Sequence, residues 1–171
     1  MRRDIQKVND DIIEMKRLIK QKLIADTDIL EALNNPDIDI DSPDEFLDEN
    51  IFGFIRIPTT QDTVRNFICF TVDDIEDHRF NSHMKVQQIQ FVCICHLCDI
   101  KTEYGIDRHD LISYLVRDVF NWSNDFGVQF KLVYNKESTI DSDYYCRTLK
   151  FERECTNNLN KARRDNLYDR L

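Results

Sequence analysis

The fold is decided by one stretch of the chain, Lys85-Val86-Gln87-Gln88-Ile89-Gln90-Phe91-Val92-Cys93-Ile94-Cys95-His96. Successive side chains of a β-strand lie on opposite faces of the sheet, so alternate residues of this stretch share a face. One face is formed by Ile89, Phe91, Cys93 and Cys95, and the other by Gln88, Gln90, Val92 and Ile94. The stretch is therefore predicted to be the longest strand, polar at its start and apolar on both faces toward its end.

The clearest helix follows this strand. Asp107 is a good N-cap residue, and an acid, Asp110, stands three positions later. Two rows with a spacing of four residues then form a wide apolar stripe, Leu111, Leu115 and Val119 beside Ile112, Val116 and Phe120. Gly127 is expected to stop the element after residues 121–126. The pattern predicts one helix that covers a sheet.

Four further runs suit strands of that sheet. The run at residues 52–57 is apolar and closed by Pro58, and residues 67–72 are apolar on both faces. Later, two runs alternate on either side of a polar turn at residues 136–143, namely Phe130, Leu132, Tyr134 and then Tyr145, Arg147, Leu149, Phe151. We therefore predict an α+β fold, with a mostly antiparallel sheet of about four to five strands packed by one main helix.

The first helical segment has heptad spacing. Apolar residues recur at alternating intervals of three and four, as Ile5, Val8, Ile12, Met15 and Ile19. This face could fold back on its own sheet, or it could dock into a groove on a neighbouring subunit. We predict the second, with these five residues as the partner-binding face. A short second helix is expected at residues 28–33, before Pro36.

Acidic residues are concentrated after this helix. Residues 26–55 hold ten acidic residues and neither Lys nor Arg. The surplus of acidic over basic residues, which gives the chain its net charge of −9, therefore lies in this one segment. Residues 36–50 carry two prolines and are predicted to be an extended surface linker. Asp37, Asp39 and Asp41 alternate as an EF-hand loop begins, but Ser42 and Asp48 stand where that loop needs glycine and glutamate. A solvated linker is therefore preferred over a calcium site.

A second acidic group stands between the second and third predicted strands. Residues 73–83 are expected to form a polar loop that contains Asp73, Asp74, Glu76 and Asp77. These acids could hold magnesium in a nuclease, although acids in a polar loop are usually only solvated.

Composition excludes several classes. The chain has 171 residues with 42% hydrophobic and 32% charged residues and eleven phenylalanines, enough for one real core. We find no apolar run of membrane-spanning length and no hydrophobic leader, so a protein made in a cytoplasm is expected. Because phosphate neutralisation needs clustered Lys and Arg, the acidic balance argues against direct DNA or RNA binding.

The chemistry of the cysteines and histidines points to no catalytic centre. Cys95 and Cys98 form a C-x-x-C next to His96, but a second ligand pair at zinc-site spacing is missing. We expect all six cysteines to be reduced and without metal. The three glycines allow neither a P-loop nor a dinucleotide fingerprint, and no nucleophile stands in a glycine-flanked elbow. No cofactor and no enzymatic activity are predicted.

Four segments resemble those of a known family. They are Asn50-Ile51-Phe52-Gly53-Phe54-Ile55-Arg56-Ile57-Pro58-Thr59-Thr60-Gln61-Asp62, the strand at residues 86–96, Tyr104-Gly105-Ile106-Asp107-Arg108-His109-Asp110-Leu111-Ile112, and Phe120-Asn121-Trp122-Ser123. Together they resemble neck proteins of tailed bacteriophages, most closely the tail-terminator or tail-completion class. The resemblance covers roughly residues 50–155.

This resemblance implies a small α+β domain assembled as a ring, typically of six copies, on virions. The ring would cap the tail tube, receive the head-side connector, and let DNA pass without specific binding. In such a ring we predict that Asp73, Asp74, Glu76 and Asp77 face the lumen, where DNA slides past without sticking; the turn at residues 137–143 is the alternative. A head-closure or connector protein at the same joint is the alternative, and a metal-dependent nuclease is the second. The expected organisation is a helical arm at residues 1–35, the acidic linker at 36–50, the ring-forming domain at 51–155 and a polar tail at 156–171.

Overall fold

The computed structural model describes residues 11–56, 64–77 and 84–156. Three α-helices are present in these ranges, α1 (Asp11–Ala25), α2 (Thr27–Leu33) and α3 (Arg108–Phe120). Five strands join them, β1 (Ile51–Phe52), β2 (Phe67–Asp77), β3 (Met84–His96), β4 (Lys131–Thr139) and β5 (Tyr144–Thr156). Ile5, Val8 and the predicted polar tail beyond Thr156 lie outside the described residues.

The strands form one sheet in the order β1-β2-β3-β5-β4. All neighbours are antiparallel except β1, which pairs in parallel with Ile68 and Cys69 of β2. The longest contact joins β3 to β5, from Met84 opposite Thr156 to His96 opposite Tyr144. The predicted α+β fold with a mostly antiparallel sheet is thus confirmed, and β3 is its central strand.

The helices lie on one face of the sheet and bury the main core. Ile89, Phe91, Cys93 and Cys95 of β3 all belong to this core, as the alternation predicted. Phe91 is its centre, because its ring contacts those of Phe70, Phe120 and Phe151 at centroid distances of 5.9, 4.7 and 5.8 Å. Edge-to-face and tilted aromatic pairs of this kind add to the free energy gained by burial alone.

The two apolar rows of α3 are buried to different extents. Ile112, Val116 and Phe120 of α3 are fully buried, whereas Leu111, Leu115 and Val119 are only partly buried beside the core. Asp107 precedes α3 with extended backbone, but its carboxylate accepts a hydrogen bond from Lys101 Nζ at 2.6 Å and does not cap the helix. After α3, Gly127 adopts φ +79, a conformation that glycine reaches without strain.

The other face of the sheet carries a smaller apolar cluster. It contains Phe52, Phe67, Cys69, Val92, Ile94, Tyr144 and Cys146. The Arg56 guanidinium lies over the rings of Phe52 and Phe67, 4.8 and 5.7 Å from their centroids. Val92 and Ile94 were expected on this face and are found there. We call this face the open face, because α1, α2 and α3 all pack on the other one.

The prediction that α1 docks on a neighbouring subunit is wrong for the residues that the structure describes. Met15 and Ile19 are 4% and 0% exposed in the chain's own core, and Ile12 packs partly against it. Lys16 Nζ also donates a hydrogen bond to the carbonyl of Gly53 at 2.8 Å. The apolar row of α1 therefore completes the core over the β2 side of the sheet, a side that α3 alone does not cover.

The acidic segment at residues 36–50 is not an extended linker. Phe46 is 1% exposed in the main core, at the end of a short 3-10 helix, Pro43–Phe46. Asp39 accepts a hydrogen bond from the backbone of Asp41, and Arg65 pairs with both Asp37 and Glu49. One buried aromatic side chain and these local turns hold the segment on the domain, so its acids form a solvated surface of the same folding unit.

A polar network joins the helices to the sheet at the Asp99 carboxylate. Asn34 and Asn66 donate to it at 3.0 and 2.7 Å, and Arg108 donates at 3.1 Å. Arg108 also donates to the carbonyls of Asp99 and Ala32, and so satisfies the C-terminal end of α2. The donors of this network and the Asp99 carboxylate all find partners, whereas the buried Oδ1 of Asn66 has no hydrogen-bond partner among the described residues.

Candidate assembly surface

Strand β4 is the most exposed regular element that the structure describes. It spans nine residues at one edge of the sheet, and eight of them are exposed while Leu132 is half-buried. Val133 and Tyr134 are 46% and 41% exposed despite their apolar character. Its outer edge presents unpaired backbone N–H and C=O groups, which form a template for a further strand.

The extent of β4 differs from the prediction. Residues 136–143 were expected to be a polar turn, but β4 continues to Thr139 and the turn is shorter. Its Asp141 carboxylate accepts hydrogen bonds from the backbone of Asp143 and Tyr144, which fixes the reversal into β5. Residues 136–139 are polar and do not indicate a strand, because an edge strand that is exposed on both faces has no alternation of apolar and polar residues.

Ion pairs hold β4 against α3. Arg147 of β5 donates to Asp110 of α3 at 2.5 Å and to Asn135 of β4 at 3.0 Å, and Glu137 lies 3.6 Å from the same guanidinium. Nε2 of the buried His109 lies 3.3 Å from a carboxylate oxygen of both Asp110 and Glu137. The helix-side groups of β4 are thus anchored, and its outer edge remains open.

The opposite edge of the sheet is also open over part of its length. Strand β1 pairs only with Ile68 and Cys69, and within the described ranges no strand pairs with the outer edge of β2 beyond them. Asp73, Asp74, Glu76 and Asp77 were predicted to lie in a loop, but they lie on β2 itself, paired with β3. The loop prediction is wrong because β2 continues along β3 through these residues, with a bulge after Asp74.

These acids are not equivalent. Asp74 binds Lys85 at 2.8 Å and accepts from Gln87 on the helix side, and Lys85 also lies 3.4 Å from Asp11. Burial lowers the pKa of Lys85, but the hydrogen bond and charge of Asp74 and the charge of Asp11 outweigh it and raise that pKa. Asp73 is exposed, and Glu76 and Asp77 follow a bulge after Asp74. That these four acids face a lumen stays a prediction.

The cysteines are held as buried apolar residues. Cys69, Cys93, Cys95 and Cys146 are buried in the sheet, and Cys98 is the exposed one. Burial raises the pKa of Cys93 to about 12 and that of Cys95 well above its usual value, so neither forms a thiolate near neutral pH. Among the described residues, no three His, Cys, Asp or Glu side chains lie together as a metal site would need.

An open cleft of about 670 Å³ lies between α2 and the start of α3. Its lining includes Glu31, Glu103, Arg108, Leu111 and Leu115. Arg108 is already committed to Asp99 and Ala32, and the described lining contains neither a histidine nor a thiol to act on a substrate. In the described part of the chain, no helix is both long and apolar enough to cross a membrane.

The fold and these edges define a small α+β protein with a surface suited to pairing with another strand. A family model named YomW matches residues 22–153, which include α2, α3, the strands β1 to β4 and β5 up to Arg153. The chain belongs to the YomW family. YomW is a protein name of the Bacillus phage SPBc2 type, so the family match indicates a phage-related protein. No curated protein matched the chain.

Proposed function

We propose that this chain is a structural protein of the phage neck, forming a ring that terminates the tail tube and joins it to the head-side connector. The observation that carries this proposal is the nine-residue outer strand β4, exposed along its length. The phage-related family and the resemblance of residues 50–155 to tail-terminator proteins supply the biological setting.

An exposed strand edge of this length favours an assembly role. Proteins that remain monomeric usually shorten, charge or cover such edges, because an open edge recruits other strands. β4 has Val133 and Tyr134 exposed at its start, and the groups that anchor it to α3 leave its outer edge free. A further strand supplied by a second copy of the chain would satisfy these backbone groups, and repetition of that contact would build a ring, of six copies in this proposal.

The remaining parts of the proposal follow from the ring. The tail-tube protein and the head-side connector would be its partners on either side, and DNA would pass through it without specific binding. The net charge of −9 is compatible with a channel that does not retain DNA. In this proposal the chain acts by binding and not by catalysis.

The proposal is tested on phage particles that carry this gene. Electron microscopy of particles labelled on this chain should give symmetric density at the head–tail junction. A phage with the gene interrupted should accumulate full heads and separate tails, and the protein supplied in trans should join them. Label found elsewhere on the particle, or normal joining without the gene, would refute the proposal.

Native mass measurement gives a second test that separates a ring from a metal-dependent enzyme. The oligomer should have a mass that is a multiple of 20.5 kDa, and the chelator EDTA should leave that mass unchanged. A monomer that gains nuclease activity with magnesium and loses it with EDTA would support the enzyme instead.

A further inference from the structure

The two open edges of the sheet match each other in direction, backbone pattern and charge. We propose that β4 of one copy pairs in antiparallel fashion with residues 70–74 of β2 in the next copy, so that the sheet continues from subunit to subunit. This inference rests on the proposed ring, since it names the contact that would build it. Three independent features of the described residues support it.

The first feature is strand direction. β2 and β3, β3 and β5, and β5 and β4 are each antiparallel, so β4 runs opposite to β2 at the far edge of the sheet. If neighbouring copies stand side by side in the same orientation, β4 meets β2 of the next copy in antiparallel register. Such a head-to-tail contact uses two different surfaces of each copy, and it closes into a ring when the rotation between copies allows it.

The second feature is the alternation of backbone groups. The N–H of Ile68 points outward, because it donates to the carbonyl of Asn50 on the β1 side at 2.8 Å. Alternation then directs the N–H and C=O of Phe70, Val72 and Asp74 outward as well. On β4, the N–H of Ile140 donates inward to Tyr144, so the outward groups belong to the odd-numbered residues, Asn135, Glu137 and Thr139.

These two sets fit one antiparallel ladder. Phe70 opposite Thr139, Val72 opposite Glu137 and Asp74 opposite Asn135 would exchange backbone hydrogen bonds. The segments are regular over this length, since the bulge of β2 follows Asp74 and that of β4 precedes Tyr134. The ladder therefore needs no change in either strand.

The third feature is charge on the open face. In this register Asp73 lies directly opposite Lys136, and Thr71 lies opposite Ser138. Asp73 and Lys136 are both exposed, and within the described residues neither has an ion-pair partner. Opposite charges at a directly opposed pair stabilise a sheet and like charges destabilise it. Asp73 would then lie in the junction between copies and not in the lumen.

The same charges argue against a two-fold contact between two β4 strands. Antiparallel pairing of β4 with itself would bring the Lys136 residues of the two copies onto the same face, close to each other. The acidic edge of β2 would stay unused. Charge complementarity thus favours the head-to-tail contact, and with it an assembly of more than two copies.

Charge reversal tests the register. D73K and K136D each place like charges at every junction, and each should raise the dissociation constant of the junction about tenfold. The double variant D73K/K136D restores an opposite pair and should recover association. Because both residues are exposed, all three variants should keep the thermal midpoint of the wild-type chain, which circular dichroism checks. A double variant no better than the singles would overturn the register.

Disulfide trapping tests the contact itself, including the case in which the free chain is mostly monomeric. In a C98S background, D73C/K136C should give a ladder of cross-linked oligomers on a non-reducing gel, since opposed strand residues lie within disulfide reach. Either single cysteine variant should give no ladder. Dimers of K136C alone would indicate the two-fold contact, and absence of a D73C/K136C ladder at the highest attainable concentration would overturn the proposal.

The outcomes also separate this inference from the proposed function. Neck density on particles together with charge variants that assemble normally would leave the neck role standing and remove the β2–β4 contact. Recovery by the double variant without neck density would leave the contact standing and remove the neck role.

Discussion

The burial of α1 gives the sharpest test of how the chain is organised. Ile19 is 0% exposed in the main core, whereas its neighbour Leu18 is 38% exposed on the same helix. Ile19→Ala should therefore lower the free energy of unfolding by about 2–5 kcal/mol, the range for truncating a buried aliphatic side chain. Leu18→Ala is the matched control and should change it by about 0.5 kcal/mol or less.

Urea unfolding followed by circular dichroism measures both values. For a chain of this length, a loss of about 3 kcal/mol should lower the thermal midpoint by roughly 6–12 °C. An unfolded or strongly destabilised chain is also expected when residues 1–50 are deleted, because Phe46 and the α1 row are removed together. If Ile19→Ala is as stable as Leu18→Ala and fails only in assembly, the helix docks on a partner and its place in the core is refuted.

Three further outcomes are expected. Under native conditions near pH 8, iodoacetamide should label Cys98 first and leave Cys93 and Cys95 unmodified, because burial raises the pKa of both buried thiols. Mass spectrometry measures the order of labelling, and early labelling of Cys93 would contradict this prediction. The folded-state pKa of Lys85 is raised above its usual 10.5, so its contribution to stability is present below that pH and is lost as the pH rises through the folded-state value. Urea titrations should show this loss in the wild-type chain and a smaller one in Lys85→Met. Arg147→Gln should lower the free energy of unfolding by about 1 kcal/mol or less, because the ion pairs of Arg147 are partly exposed. Amide hydrogen exchange at residues 135–139 should nevertheless become faster, while exchange in β3 stays unchanged. Equal exchange in the variant and the wild-type chain would show that Arg147 does not hold β4.

Apolar periodicity was sufficient to predict the buried face of a helix or strand where the chain itself covers one face of that element. The faces of β3 and the inner row of α3 follow directly from the alternation and from the four-residue spacing, since burial selects apolar residues at those positions. The run at residues 52–57 misled the prediction, because only Ile51–Phe52 pairs with β2. Phe54 and Ile55, which follow β1, are 55% and 41% exposed, so the apolar character of this run does not reflect a strand buried in the sheet.

Charge was the signal that misled most. The acids of residues 36–50 suggested a linker, but Phe46 is buried in the main core, and Ile38 and Leu47 pack partly against it. These three residues follow neither a helical nor a strand spacing, so they give no periodic signal. The acids of β2 suggested a loop, because local propensity does not report that the strand continues along β3. The Asp99 network was missed for a related reason, since Asn34, Asn66 and Arg108 come from three distant segments and only the fold brings them together.

The same limit explains why the assembly surface could not be predicted as one surface. Asp73 and Lys136 lie at opposite edges of a five-stranded sheet, and no contact within one chain relates them. Whether the two residues can meet between copies depends on the number of antiparallel strand pairings that lead from β2 to β4. With an even number, β4 would run parallel to β2, and the outward backbone groups of the two strands would no longer match. Three antiparallel steps separate them, through β3 and β5. The connectivity of the domain therefore determines which edge of a neighbouring copy β4 can extend.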